Sequence, residues 1–163
     1  MLQPAAIDGL AFARNSAVLE GRLGLESLPR LAQSGCAAAI IDFVLKGEIS
    51  ERGRPSLSLL VDGSVRLECQ RCLDSLDLPL HLEAHLQLAS SEAEIAAGDD
   101  DVEHILAGRE MSVVALVEDE VLLALPMVPK HERCTTAAEL AGSAREPAFK
   151  GLAALRKRSF GEG

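Results

Sequence analysis

Apolar and polar residues alternate with period two along three long stretches of the chain. In residues 37–49 (AAAIIDFVLKGEI), Ile41, Phe43, Leu45 and Ile49 are interleaved with Asp42, Lys46 and Glu48. In residues 56–69, Asp62, Ser64, Arg66 and Glu68 separate Val61, Val65 and Leu67, and Gly63 marks a bulge or a break. In residues 76–88 leucine stands at 76, 78, 80, 82, 86 and 88, with Ala84 completing the row. A two-residue period places one set of side chains on one face of a strand. These stretches predict strands at 37–49, 56–68 and 76–88, with a shorter one at 16–23. The links are short, and SERGRP carries the Gly and Pro of a turn. Consecutive strands so joined predict an antiparallel meander.

Helical spacing replaces alternation in three places. Ser27 precedes LPRLAQ, with Pro29 in the first turn and Gly35 just beyond, which predicts a helix at 27–34. Ser112 is positioned to cap a helix at 112–125, with Val113, Val114, Val117, Val121 and Leu125 on one face and Glu118, Asp119 and Glu120 mostly off it. Phe149, Leu152 and Leu155 share helical spacing within 148–157. The acidic segment 89–110 reads as a loop carrying a short helix at 102–107, residues 135–146 as a flexible Ala/Ser/Gly/Glu-rich segment, and 159–163 as a tail. The predicted fold class is α+β: a small antiparallel sheet with a few packed helices in one domain spanning 1–158.

Composition narrows the possible functions. The chain of 163 residues has no Trp, no Tyr and four Phe, which argues against stacking RNA bases on aromatic rings. A domain of this size buries roughly two thirds of its unfolded surface and needs no disulfides. The four cysteines therefore call for reduced-thiol chemistry, a metal or plain burial. No apolar run reaches the roughly 18 residues of a membrane span. The start MLQPAAIDGL lacks the basic and apolar regions of a signal peptide, so a cytoplasmic location is expected.

The net charge of −9 is unevenly placed. Residues 74–120 hold thirteen acidic groups and one basic one, Arg109, whereas residues 130–158 hold seven basic and three acidic groups. Such a split bears on partners and not on fold. The acidic middle suits a basic partner, with Glu118, Asp119 and Glu120 as candidate contacts. Arg71 and the run Arg156, Lys157, Arg158 are candidate contacts to RNA or to a neighbouring protein. A solvated acidic face is the plainer account of Glu118–Glu120, since consecutive carboxylates fan around a helix.

The chemistry-bearing motifs are two pairs. Cys69-Gln70-Arg71-Cys72 is a C-x-x-C between two strands, and His131-Glu132-Arg133-Cys134 is a H-x-x-C about sixty residues later. Two such pairs can supply four tetrahedral ligands to zinc. Two ordinary thiols in a turn are the alternative, and a redox pair fits less well because LDSLDLPL does not open a helix. There is no glycine-rich phosphate loop, no H-E-x-x-H and no G-x-S-x-G, so an enzyme is not expected. His81 and His85 lie roughly 13 Å apart along a strand, on the face opposite the leucines.

The strings LECQRC at 67–72, LVEDEVLLALPMVPKH at 116–131 and FKGLAALRKR at 149–158, in this order, resemble the bacterial YceD family of large ribosomal RNA subunit accumulation proteins. The resemblance implies a role in synthesis, processing or stability of 23S ribosomal RNA, as an assembly factor and not a ribosomal protein. It implies a large-subunit precursor or a basic ribosomal protein as partner, with the large-subunit protein L32 a candidate. Some relatives carry a second cysteine cluster where this chain has His131 and Cys134. A direct RNA-binding protein with a zinc knuckle is the competing expectation.

Overall fold

The computed structural model describes residues 6–98 and 101–134. The elements in chain order are β1 (Ala6–Ile7), α1 (Gly9–Arg14), β2 (Val18–Gly24), a 3-10 turn (Leu25–Ser27), α2 (Pro29–Gln33), β3 (Ala38–Ile49), β4 (Pro55–Glu68), β5 (Ser75–Ala89), α3 (Glu92–Ala96), β6 (Glu103–Leu106), β7 (Met111–Ser112) and α4 (Val113–Ala124). β2 to β5 form an antiparallel meander with β2 at one edge, and β6 adds to β5 at the other. The expected α+β class is what the chain adopts. The predicted segments 27–34, 112–125, 16–23, 37–49, 56–68 and 76–88 each meet an element with ends shifted by one or a few residues.

Alternation gives the sheet one apolar face. Ile41, Phe43 and Leu45 from β3, Leu57, Leu59, Val61, Val65 and Leu67 from β4, and Leu80, Leu86 and Leu88 from β5 are buried together. Ala13 of α1, Leu31 of α2, and Val113, Val117 and Val121 of α4 cover them. Each buried leucine contributes about 1.5–3 kcal/mol through the water its surface sheds. Gly63 sits inside an unbroken β4, opposite Ile41 and Leu80, so there is no break at that position. A Cβ there would collide with the Ile40 carbonyl, which is why the position is glycine.

The polar face carries cross-strand ion pairs that agree with the apolar register. Asp42 and Asp62 stand opposite each other, an arrangement that alone would repel. Arg22 answers Asp42 with two hydrogen bonds of 2.7 and 3.0 Å, and His81 answers Asp62 at 2.6 Å. Arg66 pairs with Asp77 in the same two-pronged manner, at 2.7 and 3.1 Å. The hydrogen bond and then the charge of Asp62 raise the His81 imidazole above its ordinary value. His81 and His85 are both exposed, as their place opposite the leucines requires.

Two stretches differ from expectation. Residues 103–106, predicted within a short helix at 102–107, form β6, and β6 runs parallel to β5. A single helical turn is costly to nucleate, whereas the end of β5 offers unpaired backbone groups. Strand pairing therefore wins, and the sheet is mixed. Residues 6–14, to which alternation assigns nothing, supply β1, paired with β7, and α1, capped by the Asp8 carboxylate accepting the Ala11 N–H at 2.9 Å. The segments predicted at 135–146, 148–157 and 159–163, with Arg156, Lys157 and Arg158, lie outside the described residues. Among the described residues no helix is long and apolar enough to cross a membrane.

Candidate metal centre

The turn between β4 and β5 is built to bring two thiols together. Its ends are tied by the Cys69 N–H donated to the Asp74 carbonyl and the Leu73 N–H donated to the Cys69 carbonyl, both at 2.9 Å. Closing so short a turn forces Leu73 into the left-handed region at φ 65°, a conformation that disfavours residues with a Cβ. The second ligand pair arrives from far along the chain. Ser112 caps α4 by accepting the Ala115 N–H at 3.1 Å, and Pro126 follows the helix. Beyond it the Gln70 N–H is donated to the Pro129 carbonyl at 2.8 Å, which draws residues 129–134 onto the cysteine turn.

The result is that Cys69, Cys72, His131 and Cys134 place one ligand atom each within 4.8 Å of one another, and together they could hold a metal ion. Cys69 Sγ lies 3.9 Å from Cys134 Sγ, and Cys72 Sγ lies 3.4 Å from His131 Nδ1. Around a tetrahedral zinc with ordinary bond lengths, two sulfurs stand about 3.8 Å apart, and a sulfur and a nitrogen about 3.5 Å apart. Two edges of the group already have that size, and the others would contract by no more than about 1.3 Å. The four cysteines of the chain are unpaired by disulfides, and Cys36, the one outside this group, is buried in the core.

Hydrogen bonds around the group orient its ligands. The His131 Nε2 lies 3.2 Å from the Ser75 carbonyl, which can only accept. Nε2 therefore carries the proton, and Nδ1 turns its lone pair toward Cys72, as metal-ligating imidazoles require. Burial pushes the Cys69 thiol up, but backbone N–H donors of Cys72, His131 and Arg71 outweigh it and lower Cys69 to about 5. Cys72 has a backbone donor at Asp74 working to lower it, yet burial and the neighbouring Cys69 and Cys134 raise it to about 11. One thiolate is thus favoured without any ion, and Cys72 beside it keeps its proton.

The other sequence-predicted residues are placed differently from one another. Arg71 turns inward to the group, with its Nε 2.8 Å from Cys134 Sγ and an Nη2 hydrogen bond of 3.3 Å to the His131 carbonyl. Glu118, expected off the apolar face of its helix, is only 3% exposed. Its Oε1 accepts the Arg30 and Leu31 backbone N–H groups at 2.8 and 3.0 Å, and its Oε2 accepts the Arg30 Nε at 2.8 Å. It therefore caps the first turn of α2, whose own N-cap, Leu28, has no side-chain acceptor. Asp119 is half-exposed and pairs with the Arg30 guanidinium. Burial, then Glu103 and Asp119, raises the Glu120 carboxyl. The three consecutive carboxylates thus have three separate environments. The capping partner of Glu118 was invisible in the sequence because Arg30 and Leu31 are nearly ninety residues away.

A family model described as large ribosomal RNA subunit accumulation protein YceD matches residues 57–156. The chain belongs to the YceD family. The match begins inside β4 and takes in β5, β6 and α4, so both ligand pairs fall within the YceD region. The name YceD points to accumulation of the large-subunit ribosomal RNA. No solved structure matches the chain.

Proposed function

We propose that the chain is a non-enzymatic factor that supports accumulation of 23S ribosomal RNA by binding a large-subunit precursor or a basic ribosomal protein, L32 being a candidate. The YceD family match carries this reading. The charge distribution supports it: residues 74–120 hold thirteen acidic groups against one basic group. Near the end of the sheet, burial and then the carboxylates of Glu103 and Asp119 raise that of Glu120, so a cationic partner would relieve the part of this that is repulsion. Glu118 takes no part in such a contact, because its oxygens serve α2. In the same reading the Cys69–Cys72–His131–Cys134 group holds zinc in a structural role, its three sulfurs and one imidazole matching a closed tetrahedral site. The protein works in the cytoplasm.

Co-sedimentation of the tagged full-length protein with ribosomal precursors, at low and at high salt, tests the proposal. The expected result is enrichment of a pre-large-subunit particle or a basic ribosomal protein at low salt, weakening as salt screens the acidic surface. Absence of both at low salt overturns it. A gel shift with free 23S fragments that persists near physiological salt would favour direct RNA contact instead.

A further inference from the structure

The four ligands of the candidate centre are not held equally. Cys69 Sγ accepts the His131 backbone N–H at 3.4 Å, and the backbone N–H groups of Cys72 and Arg71 also act on it. Cys72 receives the backbone donor of Asp74, and the His131 ring is pinned through Nε2 to the Ser75 carbonyl. These three ligands are fixed by main chain. Cys134 Sγ, the last ligand along the chain, is met by a side chain: the Nε–H of Arg71 at 2.8 Å.

We propose, building on the zinc reading above, that Arg71 is the latch of this centre: its guanidinium holds the fourth ligand in place and cancels the charge of the loaded site. Three thiolates, a neutral imidazole and a dication carry a net charge of −1. Cys69 is fully buried, so that charge lies partly out of water, where an uncompensated charge is costly. The Arg71 guanidinium supplies the missing +1 at contact distance. Its geometry also asks for arginine. One face of the fork reaches Cys134 Sγ through Nε while Nη2 reaches the His131 carbonyl at 3.3 Å, so the same group binds both members of the H-x-x-C pair. A lysine would bring the charge as a point, without the rigid planar fork that spans both acceptors. Arg71 is thus a positioning residue that sits between the two cysteines of the first pair and fastens the second.

The test uses the reduced full-length chain with zinc or cobalt(II), comparing the wild type with Arg71→Ala, Arg71→Gln and Arg71→Lys. Stoichiometry and the thiolate-to-cobalt absorption report loading and sulfur ligation, and transfer to a chromogenic chelator reports release. Wild type is expected to take one ion per chain. Arg71→Ala and Arg71→Gln are expected to keep one site but to release the ion about 10–100-fold faster, the range typical for lost outer-shell partners. Arg71→Lys should recover part of the retention, and high salt should narrow the gap between Lys and Gln. Equal release rates for wild type, Ala and Gln would overturn the latch while leaving zinc binding intact. A Lys variant no better than Gln would overturn the charge argument. Failure of the wild type itself to bind either ion would overturn the zinc reading, and with it the latch.

Discussion

Two fastenings hold α4 and the residues that follow it, and they work on opposite terms. Before its midpoint is passed, Glu118 ties the helix to α2 through three charge-assisted hydrogen bonds that need nothing from outside the chain. After the helix ends, residues 129–134 are tied to the β4–β5 turn by the Gln70 to Pro129 bond and by a group of three sulfurs and an imidazole. The first is a closed account: every oxygen of the carboxylate has a donor, and among the described residues no buried side-chain polar atom lacks a partner. The second could hold a cation, and under the zinc proposal it does. The difference separates what holds the fold from what conditions its use. The core and Glu118 define the position of α4, and the Gln70 to Pro129 bond and the cysteine–histidine group fasten residues 129–134 to the β4–β5 turn.

The strongest way to break this contrast is to vary the ion. With free zinc at about a hundred times its dissociation constant, linkage adds about 2.7 kcal/mol to the unfolding free energy. Denaturant titrations with zinc and with a chelator should show that gain in wild type and not in Cys72→Ser, with the same sheet signal in both metal-free proteins. A gain that survives in Cys72→Ser would place the ion elsewhere.

The next largest effect should come from the carboxylate. Glu118→Ala leaves two helix-end N–H groups without their acceptor and takes one of the partners of the Arg30 guanidinium, at about 2 kcal/mol. Its cobalt spectrum should match the wild type, since the two fastenings share no ligand. The pH dependence has a defined sign. Burial acts to raise Glu118, but the Leu31 and Arg30 donors prevail and lower it below its ordinary 4.5. Its stabilisation is therefore complete above about pH 4.5 and is lost as pH falls through the folded value. The stability gap between wild type and Glu118→Gln should close on acidification below pH 4.5 and stay flat above it.

The smallest effect concerns Leu73. Its side chain is exposed and its φ is 65°. Glycine relieves the left-handed strain at some cost in unfolded-chain entropy, leaving Leu73→Gly more stable than wild type by about 0.5 kcal/mol. A lower thermal midpoint would mean that the leucine side chain holds the cysteine turn by packing.

How much of this was legible in the sequence depends on the range of the interaction involved. β3, β4 and β5 were readable because one face of each is buried, so Ile41, Phe43, Leu59, Val61 and Leu86 imprint the period of two directly. The Ser112 cap was readable because its partner is three residues away. The ligand pairs were readable because C-x-x-C and H-x-x-C spacing is itself local. The role of Glu118 was not, since the helix it caps is distant and the local pattern groups it with Asp119 and Glu120 as one acidic run. β6 escapes the local pattern for the same reason: Glu103–Leu106 is too short to declare a period, and its conformation is decided by the free end of β5. That the four ligands converge follows from the Gln70 to Pro129 bond, a contact no motif announces.

The ligand pairs also carry information about time. Cys72 and His131 are 59 residues apart, and Cys69 and Cys134 are 65 apart. Bringing such distant points together from a disordered chain costs loop-closure entropy, and that cost has already been met once β5, β6 and α4 are in place. Ion capture should then lag behind assembly of the sheet in refolding, and a chain stalled with α4 undocked would present only half a site. The centre would fill in proportion to the fraction of molecules that have reached their final topology.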